Sequence, residues 1–129
     1  MEDFKQNQLN HLRENIAVRE DKKGRPYLFV RPSRKVFEEN RDRVGKDVYL
    51  ASSLTIFPHK NGYTFSIWYS RPDGRKFQTF LTWLQKKEIV LRNGKAGNGS
   101  QLGNAFNLAF PGFSLQDMDF IWEGCVNGR

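Results

Sequence analysis

The chain has 129 residues, which is enough for one domain with a buried core and too few for two independent ones. It carries 21 lysine and arginine residues against 14 aspartate and glutamate residues, and the net charge of +7 favours a polyanionic partner. A single cysteine excludes a disulfide-stabilised scaffold, and no apolar run is long enough for a membrane span, so we expect a cytoplasmic protein with no membrane partner.

The N-terminal part of the sequence predicts a helix followed by a hairpin. Apolar residues recur at helical spacing and indicate a short amphipathic helix over residues 3–14. Two short strands, 16–20 and 26–31, then flank the sequence DKKG, in which Gly24 can adopt the positive φ that a tight turn needs.

The segment after the hairpin predicts a second helix, and the chain then changes to strand periodicity. A serine that can act as an N-cap begins this segment and a glycine that can end a helix closes it, so we expect a helix over residues 33–45. From Asp47 the apolar residues alternate, which places Ser52 on the same face as Leu54 and Ile56. The sequence PHKNG follows and offers an Asn-Gly pair for a hairpin turn.

The sequence GYTFSIWYSRPDGRKFQTFLTWL, residues 62–84, predicts two strands joined by a basic turn. Every second residue from Tyr63 to Tyr69 is large and apolar, as on a face that packs against a core. The other face of that strand holds Trp68 among hydroxyl side chains. A further strand, EIVLR, follows the second of these strands, so we predict an antiparallel meander over residues 47–92.

Residues 93–104 are rich in glycine, and we expect a loop there. The glycine spacing matches neither the Walker motif nor the dinucleotide-binding motif, so no nucleotide cofactor is expected. The C-terminal sequence FPGFSLQDMDFIWEG predicts a short helix that completes the core, with Ser114 as its cap and Asp117 at the third helical position.

Together these elements predict a single α+β domain over residues 1–129. Its centre is a curved antiparallel sheet of about four to six strands, a meander with two or three short helices against it. A partly open barrel is the alternative arrangement of the same strands. A homodimer formed through a sheet edge stays open as a further expectation.

Trp68 and two basic blocks are the candidate ligand-binding residues. Trp68 lies alone among hydroxyl groups beside a basic turn, as a ring that stacks on a base would; the alternative is that the helix beginning at Ser33 covers it. Residues 19–46 and residues 71–95 each carry a net charge of +5, and we expect the basic turn to lie near the other block. The predicted contacts to nucleic acid are Trp68, Arg71, Arg75, Lys76, Lys22, Lys23, Arg25, Arg31 and Lys95.

These residues favour binding of DNA or RNA without catalysis, and of single strands rather than duplexes. The basic side chains would contact phosphates and the aromatic rings would stack on bases. The alternative is a small inhibitor or accessory factor, for example one encoded by a phage or mobile element, that docks on an acidic protein surface. The sequence carries no metal-ligand motif, and no metal or other cofactor is expected. A metal-independent nuclease built from His59, Lys60 and Arg75 is a third and weaker alternative.

Overall fold

The computed structural model describes residues 2–32, 34–41, 50–70, 73–84, 88–91 and 99–127. The elements run in the order α1 (Glu2–Leu12), β1 (Ile16–Glu20), β2 (Pro26–Val30), α2 (Arg34–Arg41), β3 (Leu50–His59), β4 (Gly62–Ser70), β5 (Lys76–Leu84), β6 (Glu88–Leu91), α3 (Gly99–Ala109) and α4 (Met118–Trp122). Two short 3-10 turns, Arg13–Asn15 and Leu115–Asp117, and a π turn, Glu123–Asn127, complete the described secondary structure. Among the described residues, no helix is long and apolar enough to cross a membrane.

The strands form one six-stranded antiparallel sheet in which the order across the sheet follows the order along the chain, β1 to β6. Each strand pairs with the next, and β1 and β6 lie at the two edges. The α+β fold with an antiparallel meander is therefore confirmed. The sheet is open, so the alternative of a barrel is not the arrangement found in the described part of the chain.

One face of the sheet, which we call the covered face, packs against the helices. Helix α3 lies against β3 and β4, and the rings of Phe65 and Phe106 meet edge to face at 6.3 Å. The alternate residues of β4 expected in the core are all buried, as are their neighbours on adjacent strands and helices: Tyr63, Phe65, Ile67, Tyr69, Leu28, Leu54, Ile56, Leu81, Leu102, Phe110, Met118 and Ile121.

Helix α3 corrects the prediction of a loop over residues 93–104. The chain is helical from Gly99, and Gly103 lies inside the helix. Leu102 and Phe106 are buried four residues apart on one helix face, and burial of that face offsets the cost of about 1 kcal/mol that an internal glycine imposes. The earlier part of the glycine-rich segment lies outside the described residues.

A bulge in β3 corrects the predicted faces of that strand. Ala51 pairs with Tyr69 and Ser53 pairs with Trp68, so Ser52 has no partner in the register between β3 and β4. The extra residue shifts the alternation by one position, and Ala51, not Ser52, lies on the covered face with 2% of its surface exposed.

The turn between β3 and β4 consists of Lys60 and Asn61, because His59 pairs with Gly62. The prediction that Asn61 and Gly62 form the turn is therefore wrong by one residue. Gly62 is already part of β4, and a Cβ atom there would collide with the backbone carbonyl of Trp83. This glycine permits close approach of two backbones.

The helices near the two ends of the chain agree with those predicted from the sequence, as far as the structure describes them. The predicted helix over 3–14 is present as α1 and the 3-10 turn that follows it. Helix α2 accounts for Arg34–Arg41, and the rest of the predicted helix lies outside the described residues. The predicted cap is confirmed, because the Ser114 N–H donates a hydrogen bond of 3.0 Å to Asp117 Oδ2.

Candidate nucleic-acid interface

The second face of the sheet, which we call the open face, collects aromatic, hydroxyl and basic side chains. Residues paired across antiparallel strands point to the same side, so the register decides which side chains lie together. The side chains described on this face include Ala17, Arg19, Tyr27, Phe29, Ser53, Thr55, Phe57, His59, Thr64, Ser66, Trp68, Ser70, Lys76, Gln78, Phe80, Thr82 and Leu84, with Arg31 immediately after β2. The register also places one acidic residue, Glu88 of the edge strand β6, on this side of the sheet, opposite Leu84.

Two rows of paired residues cross the open face. One runs from Phe29 through Thr55 and Ser66 to Phe80, with two hydroxyl groups between two rings. The next row contains Ser53, Trp68 and Gln78. A contact between the rings of Tyr27 and Phe57, with centroids 5.2 Å apart, lies on the other side of the first row.

Trp68 is exposed on this face, with 39% of its surface accessible. Helix α2 packs against β3 and leaves the indole uncovered, so the alternative in which a helix buries Trp68 is not the arrangement found. The remaining rings of the open face are half-buried. Trp68 is thus the ring with most surface to offer to a ligand.

The hydroxyl groups beside Trp68 are paired within the face. Gln78 Nε2 donates a hydrogen bond of 2.6 Å to Ser66 Oγ, and the Thr64 and Thr82 hydroxyl groups are 2.9 Å apart. These contacts satisfy polar atoms that would otherwise need water, and they restrict the rotamers of the side chains around the indole. The open face is therefore polar and also preformed.

Two arginines lie against the ring of Phe29. The Arg19 guanidinium carbon is 4.2 Å from the ring centroid and that of Arg31 is 5.8 Å from it. No carboxylate of the described residues forms an ion pair with either arginine. Arg19 and Phe29 are not among the contacts predicted from the sequence, although the alternation in YLFVR already places Tyr27, Phe29 and Arg31 on one strand face.

The predicted cations are divided between the two ends of the sheet. In a meander, successive hairpin turns alternate between ends, so the turn that carries Lys22, Lys23 and Arg25 lies opposite the turn that carries Arg75. Strand β4, of nine residues, separates these ends by about 30 Å. The expectation that the basic turn lies near the other block is therefore wrong for Lys22, Lys23 and Arg25, whereas Arg31 of that block lies at the same end of the sheet as Arg75.

Two of the predicted arginines are held by carboxylates of their own turns. Arg25 Nε is 2.8 Å from Asp21 Oδ2, and Arg75 is 2.9 Å from Asp73 Oδ2. The Asp21 carboxylate accepts hydrogen bonds from the backbone N–H groups of Arg25 and Lys23 and contacts the Arg25 guanidinium. These contacts, the Arg25 N–H first, lower the pKa of the Asp21 carboxyl. These two arginines carry less free charge than the sequence indicates.

Three of the predicted residues, Trp68, Arg31 and Lys76, lie toward the same end of the open face. Lys76 pairs with Ser70, two positions beyond Trp68 on β4, and Arg31 lies beyond Phe29 on the same side of the sheet. Lys22 and Lys23 are exposed at the opposite end. Arg71 and Lys95 lie outside the described residues.

The trio considered for a nuclease is not assembled. His59 and Lys60 lie at the β3–β4 turn, whereas Arg75 lies at the other end of the sheet. His59 Nδ1 accepts a hydrogen bond of 3.3 Å from the Asn61 backbone N–H within that turn. In the parts of the chain that the structure describes, no cluster of three His, Cys, Asp or Glu residues could hold a metal ion.

Comparison of the chain with protein-family models, with curated proteins and with solved structures finds no match. Function is therefore inferred from the geometry and charge of the open face.

Proposed function

We propose that the protein binds single-stranded nucleic acid, DNA or RNA, across the open face of the sheet and without catalysis. The observation that carries this proposal is the exposed indole of Trp68, which stands between Arg31 and Lys76 on the open face. An aromatic ring among cations fits a ligand that has both flat bases and a charged backbone.

Cations supply the affinity in this proposal. Arg19, Arg31 and Lys76 are exposed, and none of them is in an ion pair with a carboxylate of the described residues. Each phosphate contact to a single strand releases condensed counterions and contributes about −0.7 to the slope of log affinity against log salt concentration. Three such contacts predict a slope of about −2, and the slope is about −1.4 if two of these cations share one phosphate.

Single strands are favoured over duplexes because of the rings. The bases of a duplex stack on one another, so Trp68 could reach an unpaired base but not one inside a helix. A base on Trp68 and a phosphate on Arg31 would lie about two strand spacings apart, or roughly 10 Å. The hydrogen bonds around Ser66 hold this surface in place before a ligand arrives, which lowers the entropy lost on binding.

The alternative of an acidic protein partner uses the same cations, with Trp68 as a hot-spot residue. The single cysteine favours a cytoplasmic location, which we propose together with either function. A homodimer through the unpaired edge of β1 or β6 also stays an expectation.

A salt titration tests the proposal and separates it from the alternative. Binding of fluorescent oligothymidylates of increasing length, and of a duplex of matched length, is measured by anisotropy between about 50 and 200 mM salt. We expect affinity to rise with length, to be higher for the single strand and to fall with salt along a slope of about −2. Weak binding that changes with neither length nor salt would contradict nucleic-acid binding and favour the acidic protein partner.

A further inference from the structure

A groove runs beside the open face where β1, β2 and the start of α2 meet. It encloses about 440 Å³ and is lined by three arginines, Arg19, Arg31 and Arg34, against one acidic residue, Glu14. Phe29 forms part of its wall. The groove is therefore continuous with the face on which Trp68 lies.

The three arginines of the groove are not equivalent. Arg34 Nε is 3.0 Å from Glu38 Oε1, four residues along α2, and this pair is largely exposed. Arg19 and Arg31 have no such partner among the described residues and instead lie over the ring of Phe29. The charge available to a ligand in the groove comes from Arg19 and Arg31.

The contacts of Arg19 and Arg31 with Phe29 explain why an anion would bind there. A guanidinium over an aromatic ring is attracted by the π face, while its N–H donors stay directed outward in its own plane. Two like charges against one ring repel each other, and an anion between them would remove that repulsion. A phosphate oxygen pair matches the planar fork of guanidinium donors.

We propose that this groove is a phosphate-binding subsite, in which Arg19 and Arg31 hold one phosphate group of the strand whose base stacks on Trp68. This inference rests on the proposed function and deepens it, because it assigns a binding site to the sugar-phosphate backbone of the bound strand. Glu14 is exposed on the groove wall and disfavours an anion beside it, so the phosphate lies on the Phe29 side of the groove.

The first test uses charge-neutral variants of similar length. Arg19→Gln and Arg31→Gln should each weaken binding of an oligothymidylate and make the salt slope shallower, by up to about 0.7 because both arginines act on one phosphate. The matched control is Lys60→Gln, which removes the same charge from the β3–β4 turn, outside the groove, and should leave the slope unchanged. If the wild type and the three variants all bind the oligonucleotide with the same salt slope, the subsite is overturned and the proposed function stands.

The second test does not depend on oligonucleotide binding. Inorganic phosphate is titrated into the wild-type protein while the Nε–Hε signals of the arginines are followed by NMR. The signals of Arg19 and Arg31 should shift, whereas those of Arg25 and Arg75, each held by an aspartate of its own turn, should not. Uniform small shifts would contradict the subsite, and selective shifts without oligonucleotide binding would retain the subsite and contradict the proposed function.

The source of the phosphate is distinguished by comparing strands with a 5′-phosphate and with a 5′-hydroxyl. Equal affinity assigns the groove to an internal phosphodiester. A several-fold preference for the 5′-phosphate that disappears in Arg31→Gln assigns it to a strand end. A preference that persists in both glutamine variants would contradict the assignment of the groove.

Discussion

Trp68 and Gln78 are in-register partners on β4 and β5, and Gln78 Nε2 donates a hydrogen bond of 2.6 Å to Ser66 Oγ, on the residue two positions before Trp68. The amide therefore satisfies a buried hydroxyl group, since Ser66 is only 3% exposed, and the Trp68 ring keeps an accessible surface. This pair shows how a strand face can be polar and well ordered while a large ring on it stays available.

Replacing Trp68 with alanine should separate binding from stability. Stacking of one base contributes about 1 to 3 kcal/mol, so Trp68→Ala should lower affinity for single strands by roughly tenfold or more and change the melting temperature little. The control is Trp83→Ala, since Trp83 is 7% exposed and its loss should reduce the free energy of unfolding by about 3 to 5 kcal/mol. Native affinity in Trp68→Ala, or a large fall in its melting temperature, would contradict the stacking role.

The two ends of the sheet should contribute unequally to binding. Replacement of Arg71, Arg75 and Lys76 by alanine should weaken binding to every oligonucleotide at nearly unchanged melting temperature, because Lys76 flanks Trp68.

The matched variant at the opposite end replaces Lys22, Lys23 and Arg25 and should have the smaller effect, because this turn lies about 30 Å away along the sheet. Equal losses of affinity in the two triple variants, measured at one salt concentration, would show that the ligand extends over both ends.

Asp117 should stabilise the fold in a pH-dependent way. Partial burial raises its pKa, but the Lys5 ammonium at 2.6 Å and the Ser114 N–H together lower it more, so the pKa lies below its ordinary value. A lowered native pKa means that the stabilisation is present above the pKa of the unfolded chain and is lost as the pH falls through the native pKa.

Asp117→Asn should therefore reduce the free energy of unfolding by about 1 kcal/mol near neutral pH, where a charged cap and ion pair are lost. The difference between the two proteins, measured by urea unfolding from neutral to acidic pH, should shrink as the wild-type carboxylate becomes protonated. A difference that does not change with pH would contradict the electrostatic role.

Glycine-to-alanine substitution should have opposite effects at two positions. Gly62→Ala would place a Cβ atom against the Trp83 carbonyl, so the variant should be less stable by about 1 to 3 kcal/mol. Gly103→Ala adds a methyl group inside α3 with no atom within 4 Å, and it should raise stability by up to about 1 kcal/mol. Thermal unfolding of the two variants tests both signs, and a stabilised Gly62→Ala would contradict the close approach.

Particular residues show why some features of the site could be predicted and others could not. The face on which Trp68 lies followed from its own strand, because alternation assigns each side chain of a regular strand to one of two faces, but its exposure did not, since a helix could have covered that face. Its position opposite Ser53 did not follow, since an unpaired Ser52 depends on how β3 pairs with β4. Arg19 and Phe29 come together only when β1 pairs with β2, and the sequence gives no direct measure of that register.

The sequence by itself determined the α+β meander, the turn positions to within a residue and the core face of β4, because hydrophobic period, glycine and proline act over a few neighbouring residues. Only the tertiary structure decided that residues from Gly99 form a helix, because burial of Leu102 and Phe106 against the sheet outweighs their glycine-rich surroundings. It also decided which cations stand together. The ends of a meander alternate with each strand, so Arg31 and Lys76 share one end of the open face, while Lys22 and Lys23 lie at the other.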